Sequence, residues 1–279
     1  MKDDNNKIKF SVLMSVYYKE KVNNLKQSIE SILNQTLMPN EIVIVKDGAL
    51  PNDLDLCLEE YSNKYEIIKI VVLSKNLGLG KALSEGLKKC SYDYVARMDS
   101  DDISVKDRFE KQINYIYKHP NVDVLGGYIM EFDDFTGIDI SIRKVPKAND
   151  NFLKFAKKRN PMNHVTVMFK KQSVIAAGNY MDCMYFEDYY LWARMIVNHM
   201  ILDNIQEILV KVRAGKDMSS RRGRIKYIKY IFNFEKKLMR MKVINFIEFI
   251  YLIIAKSTVA LLPNGIRYQI YQKRLRTKE

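Results

Sequence analysis

The stretch YDYVARMDSDD, residues 92–102, runs from an apolar segment straight into Asp99, Ser100, Asp101 and Asp102. Residues 92–98 are short, apolar and partly aromatic, which predicts a buried strand. ISVKDRFEKQI, which follows, has the look of a helix. Negative charge is thus concentrated at one strand end in a chain whose formal net charge is +13.

Outward from this point the same alternation repeats. FSVLMSV (10–16) predicts a buried strand, and Val22, Leu25, Ile29, Ile32 and Leu33 then recur at helical spacing. EIVIV (41–45) is a second strand ended by the turn pair Asp47-Gly48, a helix is expected around 52–64, IIKIVVL (67–73) is a third strand, and a further helix is expected around 79–89. This order predicts an α/β fold with a mainly parallel sheet and helices on both faces. Beyond residue 120 the rhythm becomes mixed: VDVLGGYIMEF, IDISIRKV and HVTVMF (164–169) predict strands, with helices near 149–158 and 186–198.

Ligands of open parallel sheets bind at the carboxyl ends of the strands. The residues there are Tyr17 and Tyr18, Asp47, Asn76, and Asp99 to Asp102. An aromatic and several acids on one rim suit a nucleotide with a metal. No glycine loop cradles phosphate: the first strand runs into YYKEK, Leu83 stands where NLGLGKALSEG would need its third glycine, and no P-loop occurs. Asp99 and Asp101, spaced i, i+2, can turn toward one site and hold Mg²⁺ or Mn²⁺, which favour carboxylate and phosphate oxygens. The competing reading is an acidic turn in which Asp102 or Ser104 caps the next helix. Three cysteines, Cys57, Cys90 and Cys183, form no CxxC pair, so buried thiols in a reducing cytoplasm are expected rather than disulfides or zinc. The N-terminus has no signal-peptide pattern.

Five blocks in order, SVLMSVYYKE, SIESILNQTLMPNEIVIVKDG, NLGLGKALSEG, VARMDSDD and FEDYYLW, resemble bacterial family 2 glycosyltransferases of the capsule, O-antigen and exopolysaccharide type, over about residues 9–215. The resemblance implies a GT-A fold and inverting transfer of a sugar from a nucleotide diphosphate, with Mn²⁺ or Mg²⁺ at the D-x-D. By position it implies that Tyr17 stacks on the base, Asp47 contacts it, Asp99 reaches the ribose, Asp101 ligates the metal and Asp188 is the general base. The chain departs from the family's usual proline at Ser15 and asparagine at Tyr18. Glu187 is a candidate helper beside Asp188, although an acid pair there also suits a helix N-terminus. His164 is a candidate for the donor phosphates or the acceptor, Arg213 and Lys216 for the diphosphate, and Trp192 for the acceptor site; each has a plain structural alternative. A nucleotidyltransferase, which also pairs carboxylates, leaves FEDYYLW without a role. A non-catalytic nucleotide-sugar-binding protein leaves the intact acids unexplained.

The first 210 residues carry a net charge of −1, while residues 211–279 hold 18 Lys and Arg against four acids. A catalytic domain over 1–215 and a basic helical extension over 216–279 are therefore expected. VINFIEFIYLIIAKSTVALL (243–262) has the length of a membrane span, about 20 residues. Asn245, Glu248 and Lys256 interrupt it within ~80° of arc at ~100° per residue, which predicts a helix lying in a membrane interface with its polar side toward water. Flanking Lys and Arg would meet anionic lipid on the cytoplasmic leaflet; the alternative is that these helices pack against the catalytic domain, and both can hold at once. Nucleic acid is excluded as a partner by the absence of any motif and by the apolar content. Polymerising relatives carry Q-x-x-R-W and several spans; here Gln206 is followed by EILVKVRAG, so addition of one sugar per visit to a glycan or lipid-linked acceptor is expected.

Overall fold

A computed structural model describes residues 8–148, 152–214 and 225–275. Its first half is built from β1 (Phe10–Val16), α1 (Val22–Leu33), β2 (Glu41–Lys46), α2 (Asn52–Lys64), β3 (Ile68–Val72), α3 (Leu79–Lys89) and β4 (Tyr94–Asp99). These strands pair in parallel in the order β3-β2-β1-β4. Alternation along β1 explains the helices on both faces. Val12 and Met14 pack with Leu25 and Ile29 of α1 and Leu54 of α2, while Leu13 packs with Val43, Val45, Leu83 and Leu87 on the other face.

The second half adds β5 (Ile103–Ser104), α4 (Arg108–Lys118), β6 (Val124–Phe132), β7 (Asp139–Arg143), α5 (Phe152–Ala156), β8 (Met168–Lys170), α6 (Lys171–Ala176), α7 (Glu187–Val197) and β9 (Leu202–Arg213). The sheet continues β4-β8-β6-β9-β5, with β8 antiparallel to β4 and β6, and β9 parallel to β6. Only residues 100–102 join β4 to β5, although three strands lie between them in the sheet. An extended chain covers at most ~3.6 Å per residue, so the sheet must curl until its far strand returns to the acidic turn. The fold is the mixed α/β architecture expected, with a curled sheet and flanking helices.

One expected strand is shorter than the sequence suggests. Within HVTVMF, His164–Thr166 form a 3-10 turn and only the end joins β8. The Asn163 amide donates to the carbonyls of Gly127 (2.8 Å) and Arg143 (3.2 Å), and the Thr166 hydroxyl donates to the Asn163 carbonyl at 2.7 Å. Such local side-chain bonds offer the backbone an alternative to the ladder.

The C-terminal helices are α8 (Ile225–Arg240), α9 (Phe246–Leu261) and α10 (Asn264–Leu275). Phe234 and Leu238 of α8 and Phe249 and Leu252 of α9 form one apolar cluster with Tyr189 and Ala193 of α7, and Phe234 stacks on Phe186 at 4.5 Å. No helix among the described residues is long and apolar enough to cross a membrane. The helices pack against the domain, and α9 turns an apolar stripe outward. Its polar side faces the protein, where Glu248 pairs with Lys157 at 2.7 Å and Lys256 with the wholly buried Glu235 at 2.6 Å. Taking Lys256 away would leave the buried Glu235 carboxylate uncompensated, which costs more than leaving apolar side chains outside. The expected boundary near 215 falls among residues 215–224, outside the described residues.

Candidate active site

Curling of the sheet gathers acids at the carboxyl end of β4. Asp99 is held by Arg97, two residues earlier and so on the same face of the strand. Arg97 is 2% exposed and donates to both Asp99 oxygens, Nη1 to Oδ2 at 2.5 Å and Nη2 to Oδ1. The Ser28 hydroxyl donates to the Asp99 carbonyl at 2.7 Å, and Ser100 donates to Glu20 Oε2 at 2.5 Å. Asp102 is buried and accepts from the Arg213 backbone N–H at 3.0 Å. No side chain caps α4, whose N-cap position is Asp107, so the helix-cap reading of Asp102 and Ser104 is not realised.

Carboxylate oxygens of Asp99, Asp101 and Asp102 all lie within 4.8 Å of one another. A hard divalent cation holds its oxygens at about 2.1 Å, so opposite ligands sit about 4.2 Å apart. Electrostatics agree with that fit. Burial first, then the Asp99 and Glu20 carboxylates, push the Asp101 carboxyl up to about 7. Asp102 is raised well above the usual range by burial and then by Asp101 and Asp99. Arg97 answers one of the three acids. The other two crowd together without a comparable cation, which is the condition a bound divalent ion relieves. The residues present suit Mg²⁺ or Mn²⁺.

The rest of the rim is set by neighbouring strand ends. Asp47, 2% exposed, accepts from the backbone N–H groups of Leu77 (2.7 Å) and Gly78 (3.0 Å), and the Asn76 amide donates to its carbonyl at 3.2 Å. In this structure Asp47 and Asn76 therefore shape the turn into α3, with Asn76 exposed beside it. Gly78 takes the left-handed φ of +85° that this turn needs. Tyr17 is half-buried and meets Tyr18 edge-to-face at 5.7 Å, leaving an aromatic at the β1 end of the cleft.

The start of α7 lies against the start of α3. Asp188 Oδ2 accepts from the Asn160 amide at 2.6 Å. Neither acid caps the helix, since the N-cap position is Phe186 with no side-chain bond. Glu187 is pushed up to about 7 by burial and then by neighbouring Asp188. Its side chain lies against Gly80 of α3, where an added methyl group would come 2.9 Å from Cγ. That approach explains the second glycine of NLGLG: it lets two helix starts meet at the site. The Tyr180 phenol, raised chiefly by burial, feels both Asp188 and Asp99.

Three supporting candidates are placed away from ligand contact. His164 bonds to the Tyr180 hydroxyl at 2.9 Å and lies 6.0 Å from the Trp192 ring, and burial holds its pKa well below the usual range. It is a half-buried histidine held by Tyr180 and kept neutral. Trp192 is wholly buried, its indole N–H without a protein partner among the described residues, so it does not line an acceptor surface. The Arg213 guanidinium is committed to Asp134, to Gln27 and, at 2.5 Å, to the Asp101 carbonyl. Arg213 thus braces the acidic turn instead of pointing a spare cation at a diphosphate. Lys216 lies outside the described residues. Reading the sequence missed Arg97, Asn160 and Tyr180. Arg97 carried a signal, a lone charge inside an apolar strand two residues from an acid; Asn160 and Tyr180 carried none.

The glycosyl transferase family 2 model matches residues 11–180, more than half of the chain. Among curated relatives, an amylovoran biosynthesis glycosyltransferase of Erwinia amylovora is 40% identical over 95% of this chain and 98% of its own length. A UDP-Gal:alpha-D-GlcNAc-diphosphoundecaprenol beta-1,3-galactosyltransferase of Escherichia coli is 38% identical over 96% of this chain and 97% of its own length. Among solved structures, Staphylococcus aureus TarS 1-349 with UDP-GlcNAc superposes with a TM-score of 0.66 at 19% identity, over 96% of this chain and 76% of that one. A Pyrobaculum calidifontis mannosyltransferase with GDP-Man and Mn²⁺ gives 0.64 at 12% identity, over 97% of this chain and 76% of that one. These two show the fold. With the family model and both curated relatives in agreement, the chain belongs to glycosyl transferase family 2.

Proposed function

We propose that the protein transfers one sugar, with inversion, from a UDP-sugar to a lipid-linked glycan acceptor at the inner face of the cell membrane, during assembly of a surface polysaccharide. The observation that carries this reading is the cluster of Asp99, Asp101 and Asp102 carboxylates at the strand ends, with Asp188 on the α7 start close enough that both it and Asp99 act on the Tyr180 phenol. The donor and acceptor classes are supported by the name of the Escherichia coli relative, and surface polysaccharide by that of the Erwinia relative.

In this reading the site residues divide the labour. Asp101 and Asp102 would hold a divalent cation, with Asp99 turned by Arg97 toward the ribose. When bound, the ion supplies positive charge to the departing diphosphate. Tyr17 offers a ring face for the base, and Asp47 holds the α3 turn against it. Asp188 takes the proton of the attacking hydroxyl, and the Asn160 amide on one oxygen leaves the other to face the acceptor. Arrival of the hydroxyl opposite the leaving diphosphate gives inversion in a single displacement.

A panel of UDP-, GDP- and dTDP-sugars, offered with and without Mn²⁺ to the purified full chain and a GlcNAc-diphospholipid, tests this directly. Metal-dependent release of UDP and a longer lipid-linked glycan are expected. Turnover of every nucleotide sugar at the same rate with and without divalent ion would overturn it.

A further inference from the structure

The packing of α9 leaves an apolar face pointing away from the protein. Phe246, Ile247, Ile250, Tyr251, Ile254 and Leu261 are all exposed, Ile247 at 79% and Phe246 at 66%. At ~100° per residue they fall within ~140° of arc, opposite the arc of Asn245, Glu248 and Lys256. Thr258, also exposed, returns its hydroxyl to the Ile254 carbonyl at 2.8 Å and presents no free polar group outward. Surface helices ordinarily turn the opposite way, apolar side inward. A contiguous exposed face of this kind marks a docking surface.

Charge beside the stripe identifies the occupant. Phe232 of α8, 42% exposed, meets Phe249 of α9 at 5.6 Å and carries the apolar surface from one helix to the other. Lys229 and Lys236, three residues before and four after Phe232, share its side of α8 and are exposed, as is Arg240. The surface thus reads as an apolar stripe bordered by a basic one. A second copy docking by the same face would bring two such basic stripes together. The segments of the chain that are not described, 1–7, 149–151, 215–224 and 276–279, are polar or basic and hold no apolar run to cover it. At ~1.5 Å per residue the 16-residue α9 is ~24 Å long, shorter than the ~30 Å hydrocarbon core, so it lies along a bilayer rather than through it.

We infer that the outward face of α9, with the lysine-bearing face of α8, docks the enzyme flat on an anionic lipid bilayer, apolar side chains among the acyl chains and lysines at the headgroups. The inference rests on the function above in one respect: an enzyme serving a lipid-linked acceptor works beside a membrane.

Vesicle co-sedimentation of the full chain tests it, with phosphatidylglycerol-containing and pure phosphatidylcholine vesicles at low and high salt. Binding to the anionic vesicles that weakens with salt is expected. Ile247→Glu with Ile250→Glu should weaken it ~10-fold or more, an isoleucine side chain contributing more than one factor of ten on burial. Lys229→Glu with Lys236→Glu should weaken it and flatten its salt dependence. All four side chains are exposed, so thermal unfolding should stay at the parent value, which certifies the fold. Unchanged vesicle binding by either double variant overturns the assignment. So does a parent that sediments as a dimer without lipid and becomes monomeric on Ile247→Glu with Ile250→Glu, which would give the face to a second copy. Donor turnover in the same preparations reads the function separately: vesicle binding without turnover would sink the function proposed above and leave the docking face standing.

Discussion

Two carboxylate sites stand at opposite ends of the same parallel strands and are treated in opposite ways. Glu41, at the start of β2 opposite Ser11 of β1, accepts from Ser11 Oγ (2.6 Å), the Ser91 N–H (2.8 Å), Ser91 Oγ (2.7 Å) and Lys69 Nζ (2.6 Å). Burial alone would raise its pKa, but Lys69 and the serine bonds outweigh it and bring it to about 2. At the other end of β1, Ser15 pairs with Asp99, next to which Asp101 is pushed up to about 7. One acid is satisfied by the protein itself and secures the amino-terminal edge of the sheet. Asp101 and Asp102 crowd together at the carboxyl end, where burial and mutual repulsion raise both. A group shifted this way is a candidate for the working end of the sheet.

Asp101→Ala is the strongest way to sharpen the contrast. If Asp101 holds the ion, several kcal/mol of transition-state stabilisation are lost, a rate loss of ~10³-fold or more. The metal-free variant should nevertheless unfold at the parent temperature or above it, because a repelled carboxylate has gone. Activity and thermal unfolding measured together check this; a variant that loses both would make Asp101 structural, like Glu41. Asp188→Asn comes next, with transfer down ~10²–10³-fold and UDP affinity near normal by calorimetry. Loss of nucleotide affinity in step with rate would return Asp188 to a purely structural role at the α7 start.

Glu41→Gln addresses the other end. It should leave transfer kinetics intact and cost about 2–3 kcal/mol in denaturant unfolding, discounted because Lys69 is solvent-exposed. A stability-neutral Glu41→Gln would erase the distinction. The smallest effect is in pH. Glu41, with its folded pKa depressed, contributes stability that is present above its ordinary value near 4.5 and is lost as pH falls toward 2. Asp101 has the opposite sign: its folded form holds a proton that the unfolded chain has released, so stability falls as pH rises from near 3.8 to about 7. Without divalent ion, stability should therefore peak on the acid side of neutrality, and added Mn²⁺ should raise the unfolding temperature more at pH 8 than at pH 6. A shift of a few degrees is expected, read by thermal scans across pH. An equal Mn²⁺ effect at both pH values would argue against the acids as the site of binding.

How much of this was legible beforehand differs from residue to residue. The β1 to β4 alternation and the acids at strand ends were readable because a period of two and a period of 3.6 are local properties of the chain. His164–Thr166 was misread as strand since its turn depends on Asn163 reaching Gly127, 36 residues away. Trp192 was a plausible site residue by composition, yet the core took it, and His164 turned to Tyr180. Asn160, the partner of Asp188, had no mark in the sequence at all, because its role exists only once α5 and α7 meet.

The sequence by itself determined which side chains share a face: the acids together after β4, Asn245, Glu248 and Lys256 together on α9, apolar residues on the opposite arc. Only the tertiary structure decided which way each face turns. Lys157 lies 91 residues from Glu248 and Glu235 lies 21 from Lys256, and those distant partners drew the polar arc of α9 inward. Periodicity fixes angles about a helix axis, while the direction of the axis and its roll are set by long-range contacts that no local pattern contains.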